Sequence, residues 1–299
     1  MKIRLKNWRS WMTRAEVLRA GAARLADAGL SDPRLDAEVL LAHVLGLPRL
    51  QMLIDTTREV VPEQAQAFDA LVTRRATGEP VAYITGSREF WSLEFQVTPA
   101  TLIPRPDSET MIEAVLRAFP EGRALRVLDL GTGSGCLLLS VLHEFPDSFG
   151  VGVDRSAEAA LVAAGNAQRL GLGERSAFVV SDWATALSGP FDCILSNPPY
   201  IGEDEVLSPE VADFEPRSAL FAGDAGLDDY RRIIPELERL LAPGGKVFLE
   251  IGYTQAEAVG QIAAKAGFSS RIHYDLAGRP RCIECWQAEN FLGNGPGNG

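Results

Sequence analysis

Several things are scarce in this 299-residue chain. Four cysteines, at 136, 193, 282 and 285, are too few for a disulfide framework, which points to a reducing compartment. No apolar run reaches the length of a membrane span. The basic start, Met1 to Arg9, has no apolar stretch behind it and so does not read as a secretory signal. Positive charge is short: 29 Lys and Arg face 40 Asp and Glu, for a net charge of −11. The deficit is uneven, +2 over residues 1–80 and −13 over 81–299. The acidic part lacks the Lys/Arg clusters that hold phosphate backbones, which argues against stable nucleic-acid binding. His43, His143 and His273 stand apart, and Cys282-Ile283-Glu284-Cys285 has no further ligands nearby, so no metal site is expected. No internal repeat is present.

What is present falls into two textures. Residues 12–77 carry apolar residues at helical spacing, with Thr13, Asp32-Pro33 and Pro62 as helix starts and no strand between. This predicts a small all-α domain over residues 1–80. Val81–Gly86 and Leu93–Val97 read as strands of a β-hairpin linker over 81–103. From there strands and helices alternate, with a helix over about 107–118 and strands at 126–130, 149–154, 177–180 and 191–196. A helix over 228–241, a strand at 246–251, a helix over 254–266 and two strands near 270–275 and 282–287 follow. The alternation predicts an α/β domain over 104–290 with a mostly parallel sheet. Residues 291–299, rich in glycine and asparagine, read as a flexible tail.

The chemistry-bearing residues follow the predicted strands. Val127 to Leu130 run into Gly131-Thr132-Gly133-Ser134-Gly135, where glycines permit a tight turn against a ligand. A dinucleotide fingerprint needs its third glycine one residue later, where Cys136 stands. Asp154 ends the next strand and suits two ribose hydroxyls; capping a helix at Ser156 is the structural alternative. Asp182-Trp183 follows the third strand and offers a carboxylate to an exocyclic amine and an apolar ring to a base; a helix cap and a core Trp are the plain alternative. These strand ends share one edge of a parallel sheet, where α/β folds place ligands.

Asn197-Pro198-Pro199-Tyr200 ends the fourth strand. Two prolines remove two N–H groups, fix φ near −65° and force Asn197 extended. The result is a stiff strand end offering acceptors only, suited to gripping an –NH2 group. Arg105 and Glu109 either support the pocket or form an ion pair between domains.

In this order, Leu128 to Gly135, Val153-Asp154, Ser181-Asp182-Trp183 and Ser196 to Ile201 resemble class I S-adenosylmethionine-dependent methyltransferases. Gly86-Ser87-Arg88-Glu89-Phe90, Pro104 to Glu109, Phe214 to Leu220 and Ala222 to Asp228 narrow the resemblance to the HemK-type (PrmC) glutamine N5-methyltransferases that modify peptide-chain release factors. The resemblance implies a Rossmann-like, seven-stranded domain whose Gly131, Thr132, Gly133, Ser134, Gly135 and Asp154 hold S-adenosyl-L-methionine, with Asp182 and Trp183 at its adenine. It gives Asn197 and Pro198 the role of accepting the N–H groups of a glutamine amide, Asn197 also touching the cofactor site, with Pro199 and Tyr200 completing the substrate site. The expectation is a cytoplasmic monomer acting on a release factor. Ribosomal protein L3 or an amino group of DNA or RNA are the alternative substrates, and a nicotinamide-binding oxidoreductase or a module without chemistry the alternatives of another class.

Overall fold

The computed structural model describes residues 11–288. The flexible tail expected at 291–299 and the basic start at 1–9 lie outside the described residues.

Elements run in chain order as β1 (Met12–Thr13), α1 (Arg14–Asp27), α2 (Pro33–Leu45), α3 (Arg49–Ile54), β2 (Glu59–Val60), α4 (Pro62–Arg75) and α5 (Val81–Thr85). Then come β3 (Ser87–Phe90), β4 (Leu93–Gln96), α6 (Glu109–Ala118), β5 (Arg126–Leu130), α7 (Cys136–Glu144), β6 (Phe149–Asp154), α8 (Ala157–Arg169), β7 (Ser176–Val180) and β8 (Phe191–Ser196). The last are α9 (Pro209–Phe214), α10 (Asp228–Ile233), α11 (Leu237–Leu240), β9 (Leu241–Glu250), α12 (Ala256–Lys265), β10 (Phe268–Tyr274) and β11 (Pro280–Gln287).

Two compact units result. Among the described residues, the first takes 11–87 together with 207–214; the second takes 88–206 and 215–288. In the first, a capping box starts α1: the Thr13 hydroxyl accepts from Glu16 N at 3.3 Å, and the Glu16 carboxylate accepts from Thr13 N at 2.9 Å. Pro33 and Pro62 occupy the first turns of α2 and α4, where a missing N–H costs nothing. Val17, Leu25, Leu40, Leu41, Met52, Phe68 and Val72 close the core. The structure departs from the expected helices alone, since β1 and β2 pair as a two-residue antiparallel ladder. Within this unit the buried guanidinium of Arg75 binds Asp36 at 2.7 Å and Glu210 of α9 at 2.6 Å.

Val81–Gly86, read as a strand, is instead helix α5, closed by left-handed Gly86. Its run is too short for period to distinguish strand from helix. The hairpin is therefore β3–β4, later and tighter than expected. Its two turn residues, Trp91 and Ser92, have φ of 52° and 59°, both in the left-handed region that matches strand twist. Trp91 N donates to Glu109 Oε1 at 2.9 Å and its indole N–H to Glu144 Oε1 at 2.7 Å, which secures this costly turn.

The second unit is a seven-stranded sheet ordered β10-β11-β9-β8-β5-β6-β7. The run from β9 to β7 is parallel; β11 is antiparallel to both β9 and β10. Strand residues alternate between faces. Val127, Cys193, Leu195 and Phe248 pack against α6 and α7 with the hairpin's Phe90 and Phe95. Leu128, Leu130, Ile194, Val247 and Leu249 pack against α10, α11 and α12. Helices on both faces leave only the strand ends open to a ligand. The single helix read over 228–241 is interrupted by a 3-10 turn at Ile234–Glu236, because Pro235 cannot donate to a continuing helix.

Candidate active site

β5 ends in a loop with three left-handed glycines, Gly131, Gly133 and Gly135 (φ 78°, 55° and 81°). Gly131 N and Thr132 N both donate to Val153 O at 2.8 Å, folding the loop across the end of β6. A Cβ on Gly131 would stand 3.2 Å from the Trp183 ring, so glycine is what lets this ring close over the loop. Gly135 is the cap residue of α7.

Asp154 is tied in on both oxygens. Oδ2 accepts from Gly133 N and Oδ1 from Ser156 N, each at 2.9 Å. The cap of α8 is Ser156, whose hydroxyl accepts from Ala159 N. Trp183 has φ 47°, and its indole N–H donates to Asp229 Oδ1 at 3.2 Å. Asp182, expected to accept from an exocyclic amine, has a side chain that is 60% exposed and accepts from Arg232 at 2.6 Å.

Ser196 Oγ donates to Leu130 O at 2.7 Å and fastens the end of β8 to the end of β5. Asn197 is half-buried, and its side-chain amide makes no hydrogen bond among the described residues. Pro198 and Pro199 are buried. Beyond them, Ile201 bonds Leu220 O and Ala222 N, and Tyr200 O accepts from Gln255 Nε2 at 2.9 Å. A Cβ at Gly226 would fall 2.0 Å from Tyr200 O, so this backbone approach requires glycine.

One cavity at this edge is lined by Gly131, Thr132, Gly133, Ser134, Asp154, Asp182, Trp183, Asn197 and Pro199. Gly135, Pro198 and Tyr200 are not on its lining. Leu102, Ser108, Arg155, Pro216 and Asp229 also line it, with no role assigned to them from the sequence. Arg105 lines it as well and pairs with buried Glu215. Glu215 also accepts from Ile103 N at 3.1 Å, joining two stretches of the cavity wall.

Asp129 lies inside the glycine-loop motif but carries no role in the sequence reading. It is fully buried, with Oδ2 accepting from the Thr132 hydroxyl at 2.7 Å and Oδ1 unpartnered among the described residues. Burial, opposed by the Thr132 hydrogen bond and aided by the Asp154 charge, pushes its pKa up to about 7. Cys282 joins one core layer and Cys285 the other, so the two thiols lie on opposite faces of the sheet. His273, expected to be isolated, bonds Glu284 at 2.9 Å.

A sheet of this order, with a glycine loop after its first parallel strand and acidic residues after the next two, defines a class I methyltransferase. Residues 121–287 match the family model described as "Methyltransferase domain" and residues 16–86 the one described as "PrmC N-terminal domain". A release factor glutamine methyltransferase from Rhodospirillum rubrum is 47% identical over 89% of this chain and 83% of its own length. One from Escherichia coli is 46% identical over 79% of this chain and 85% of its own. Among solved structures, the hMettl16 catalytic domain in complex with the MAT2A 3'UTR hairpin 1 aligns with a TM-score of 0.55 at 15% identity, covering 78% of this chain and 85% of that one, and shares the fold alone. The chain belongs to the family of release factor glutamine methyltransferases.

The cavity's chemistry fits S-adenosyl-L-methionine. Asp154, Asp182 and Asp229 outnumber Arg105 and Arg155 on its lining, which suits a ligand carrying sulfonium and ammonium charge.

Proposed function

We propose that this protein methylates the side-chain amide nitrogen (N5) of the glutamine in the Gly-Gly-Gln motif of peptide-chain release factors, in the cytoplasm. The observation that carries the reading is the placement of Asn197-Pro198-Pro199-Tyr200 at the end of β8, beside the glycine loop at the end of β5. When bound, S-adenosylmethionine supplies an electrophilic methyl group. Gly131 to Gly135 would surround its amino-acid part, Asp154 would take its ribose hydroxyls, and Trp183 with Asp182 would flank its adenine.

Asn197 Oδ1 and the Pro198 carbonyl accept the two N–H bonds of the glutamine amide. An amide nitrogen is a poor nucleophile because its lone pair is delocalised into the carbonyl. Two fixed acceptors orient that nitrogen and favour its pyramidal form, and the rate gain comes mainly from this orientation. The prolines make the grip rigid before substrate arrives, since neither φ nor the buried rings have room to adjust. The nitrogen would form its bond to the methyl as the methyl–sulfur bond breaks, the electron pair staying on sulfur as a neutral thioether, and the now strongly acidic nitrogen would lose one proton to water.

The test is methyl transfer to a purified release factor, read by intact mass and peptide mapping. Asn197→Ala should lower transfer by about 100-fold or more while leaving cofactor affinity largely intact. Transfer by the variant at the wild-type rate would sink the assignment.

A further inference from the structure

β8 and β9 run parallel with Ser196 opposite Leu249, so Asn197, the first residue beyond β8, stands beside Glu250, the last residue of β9, which pairs with Cys282 of β11. Glu250 is 1% exposed. The Tyr200 phenol donates to its Oε1 at 3.3 Å, and Oε2 has no partner among the described residues. Its backbone carbonyl is held separately by the Tyr230 hydroxyl at 2.6 Å. An apolar side chain at this depth would need no proton and no partner, so the carboxyl is a costly residue to keep here.

The groups facing it come from every element around it. Asp107 and Ser108 lie on the turn before α6, Cys136 on α7, Tyr230 on α10, and Arg281 and Cys282 on β11. Arg281 is spent on Asp107 at 2.7 Å and Asp275 at 3.0 Å. Tyr200 is thus the group through which the Glu250 side chain reaches the Asn-Pro-Pro-Tyr segment.

We propose that Glu250 is a positioning residue for methyl transfer: its carboxylate holds the Tyr200 phenol and thereby fixes the side of the amide site that Asn197 and Pro198 leave open. The inference rests on the function proposed above. Hydrogen bonds to an ionised acceptor are about twice as strong as neutral ones, so the hold weakens when Glu250 takes up a proton. Burial raises the Glu250 pKa to about 7, with Asp107 adding and the Ser108 and Tyr200 hydroxyls and Arg281 opposing. Tyr200 stays protonated and able to donate, because the Glu250 charge and burial push its own pKa up. Transfer therefore gains a limb that rises with pH through neutrality.

The experiment compares the full-length wild type, Glu250→Gln, Tyr200→Phe and the double variant. Single-turnover transfer to a release factor is followed from about pH 6 to about pH 9, with cofactor Kd measured separately. Glu250→Gln should slow transfer about tenfold, change cofactor Kd by less than about twofold and abolish the neutral limb. Tyr200→Phe should lose the same limb, and Glu250→Gln should add less than about a further twofold to it. Glu250→Asp, which restores a carboxylate, should bring part of the limb back. A limb that persists in Tyr200→Phe, or effects of the two substitutions that simply multiply, would overturn the inference even if Glu250→Gln folds poorly. Should the wild type transfer no methyl, the functional reading fails by itself. The Glu250–Tyr200 coupling is then read from the thermal midpoints of the four proteins, where additive shifts overturn it.

Discussion

Replacing Asn166 with alanine should loosen the methyltransferase unit more than any surface change. Asn166 sits on α8, fully buried. Its Oδ1 accepts from Gln96 N at 2.8 Å, and its Nδ2 donates to Gln96 O at 3.0 Å and to Ser134 O at 2.9 Å. One amide thus ties the hairpin strand β4 and the glycine loop to α8. Alanine removes the partner of three backbone groups, Gln96 N, Gln96 O and Ser134 O. At about 1 kcal/mol each if water enters and more if it does not, the loss is roughly 3 to 5 kcal/mol. For a unit of this size that lowers Tm by about 10 °C. Urea unfolding followed by circular dichroism measures it directly, and cofactor affinity should fall too, since Ser134 belongs to the loop. Asn166→Asp separates the hydrogen bonds from the packing. Its carboxylate still accepts from Gln96 N but faces two carbonyl oxygens, so its folded-state pKa is raised. Its stability should therefore recover as pH falls and the acid regains a proton to donate, whereas Asn166→Ala should show no such recovery. A loss below about 1 kcal/mol in Asn166→Ala would refute the reasoning.

Gly135→Ala forces a left-handed residue to carry a Cβ that meets Leu139 Cδ1 at 3.1 Å and Ala163 Cβ at 3.2 Å. Backbone strain and crowding together should cost about 2 to 3 kcal/mol in thermal unfolding, and a change under about 0.5 kcal/mol would count against it. Asp129 and Glu250, both raised by burial to about 7, hold protons in the folded state that the unfolded chain has already released. Their contribution is fully present below the unfolded values near 4 and is lost as pH climbs to about 7, roughly 3 to 4 kcal/mol for each group. Asp129→Asn and Glu250→Gln should each flatten the pH dependence of unfolding free energy over that window; an unchanged slope would contradict the burial argument.

Much of the second unit is legible in the sequence because its signals are local. The apolar run of Val127, Leu128 and Leu130 marks a strand buried on both faces, and the strands of the parallel sheet lie close to their expected ends. The loop glycines and the two prolines after Asn197 act through their own φ angles, whatever surrounds them. Where the local signal is short or ambiguous, the expectation fails. The five residues Val81–Thr85 are too few to display a helical or a strand period, and packing of Ile84 into the helical core is what makes them a helix. The turn Trp91-Ser92 carries no glycine, and its left-handed pair is held by Glu109 and Glu144 from two other elements.

By itself, the sequence determined the alternation of strands and helices in the second unit, the stiffness of the Asn-Pro-Pro-Tyr corner and the bend of the glycine loop, since each depends on residues within a few positions. Tertiary structure alone decided which carboxyls are buried and what they face. Asp129 and Glu250 have ordinary acidic side chains until the sheet closes around them, and Glu250 meets Tyr200 only because β8 and β9 run side by side in one register. Asn166 looks like any helical asparagine until Gln96, 70 residues away, arrives at its amide. Desolvation and long-range hydrogen bonds belong to the folded assembly, so no stretch of sequence carries them.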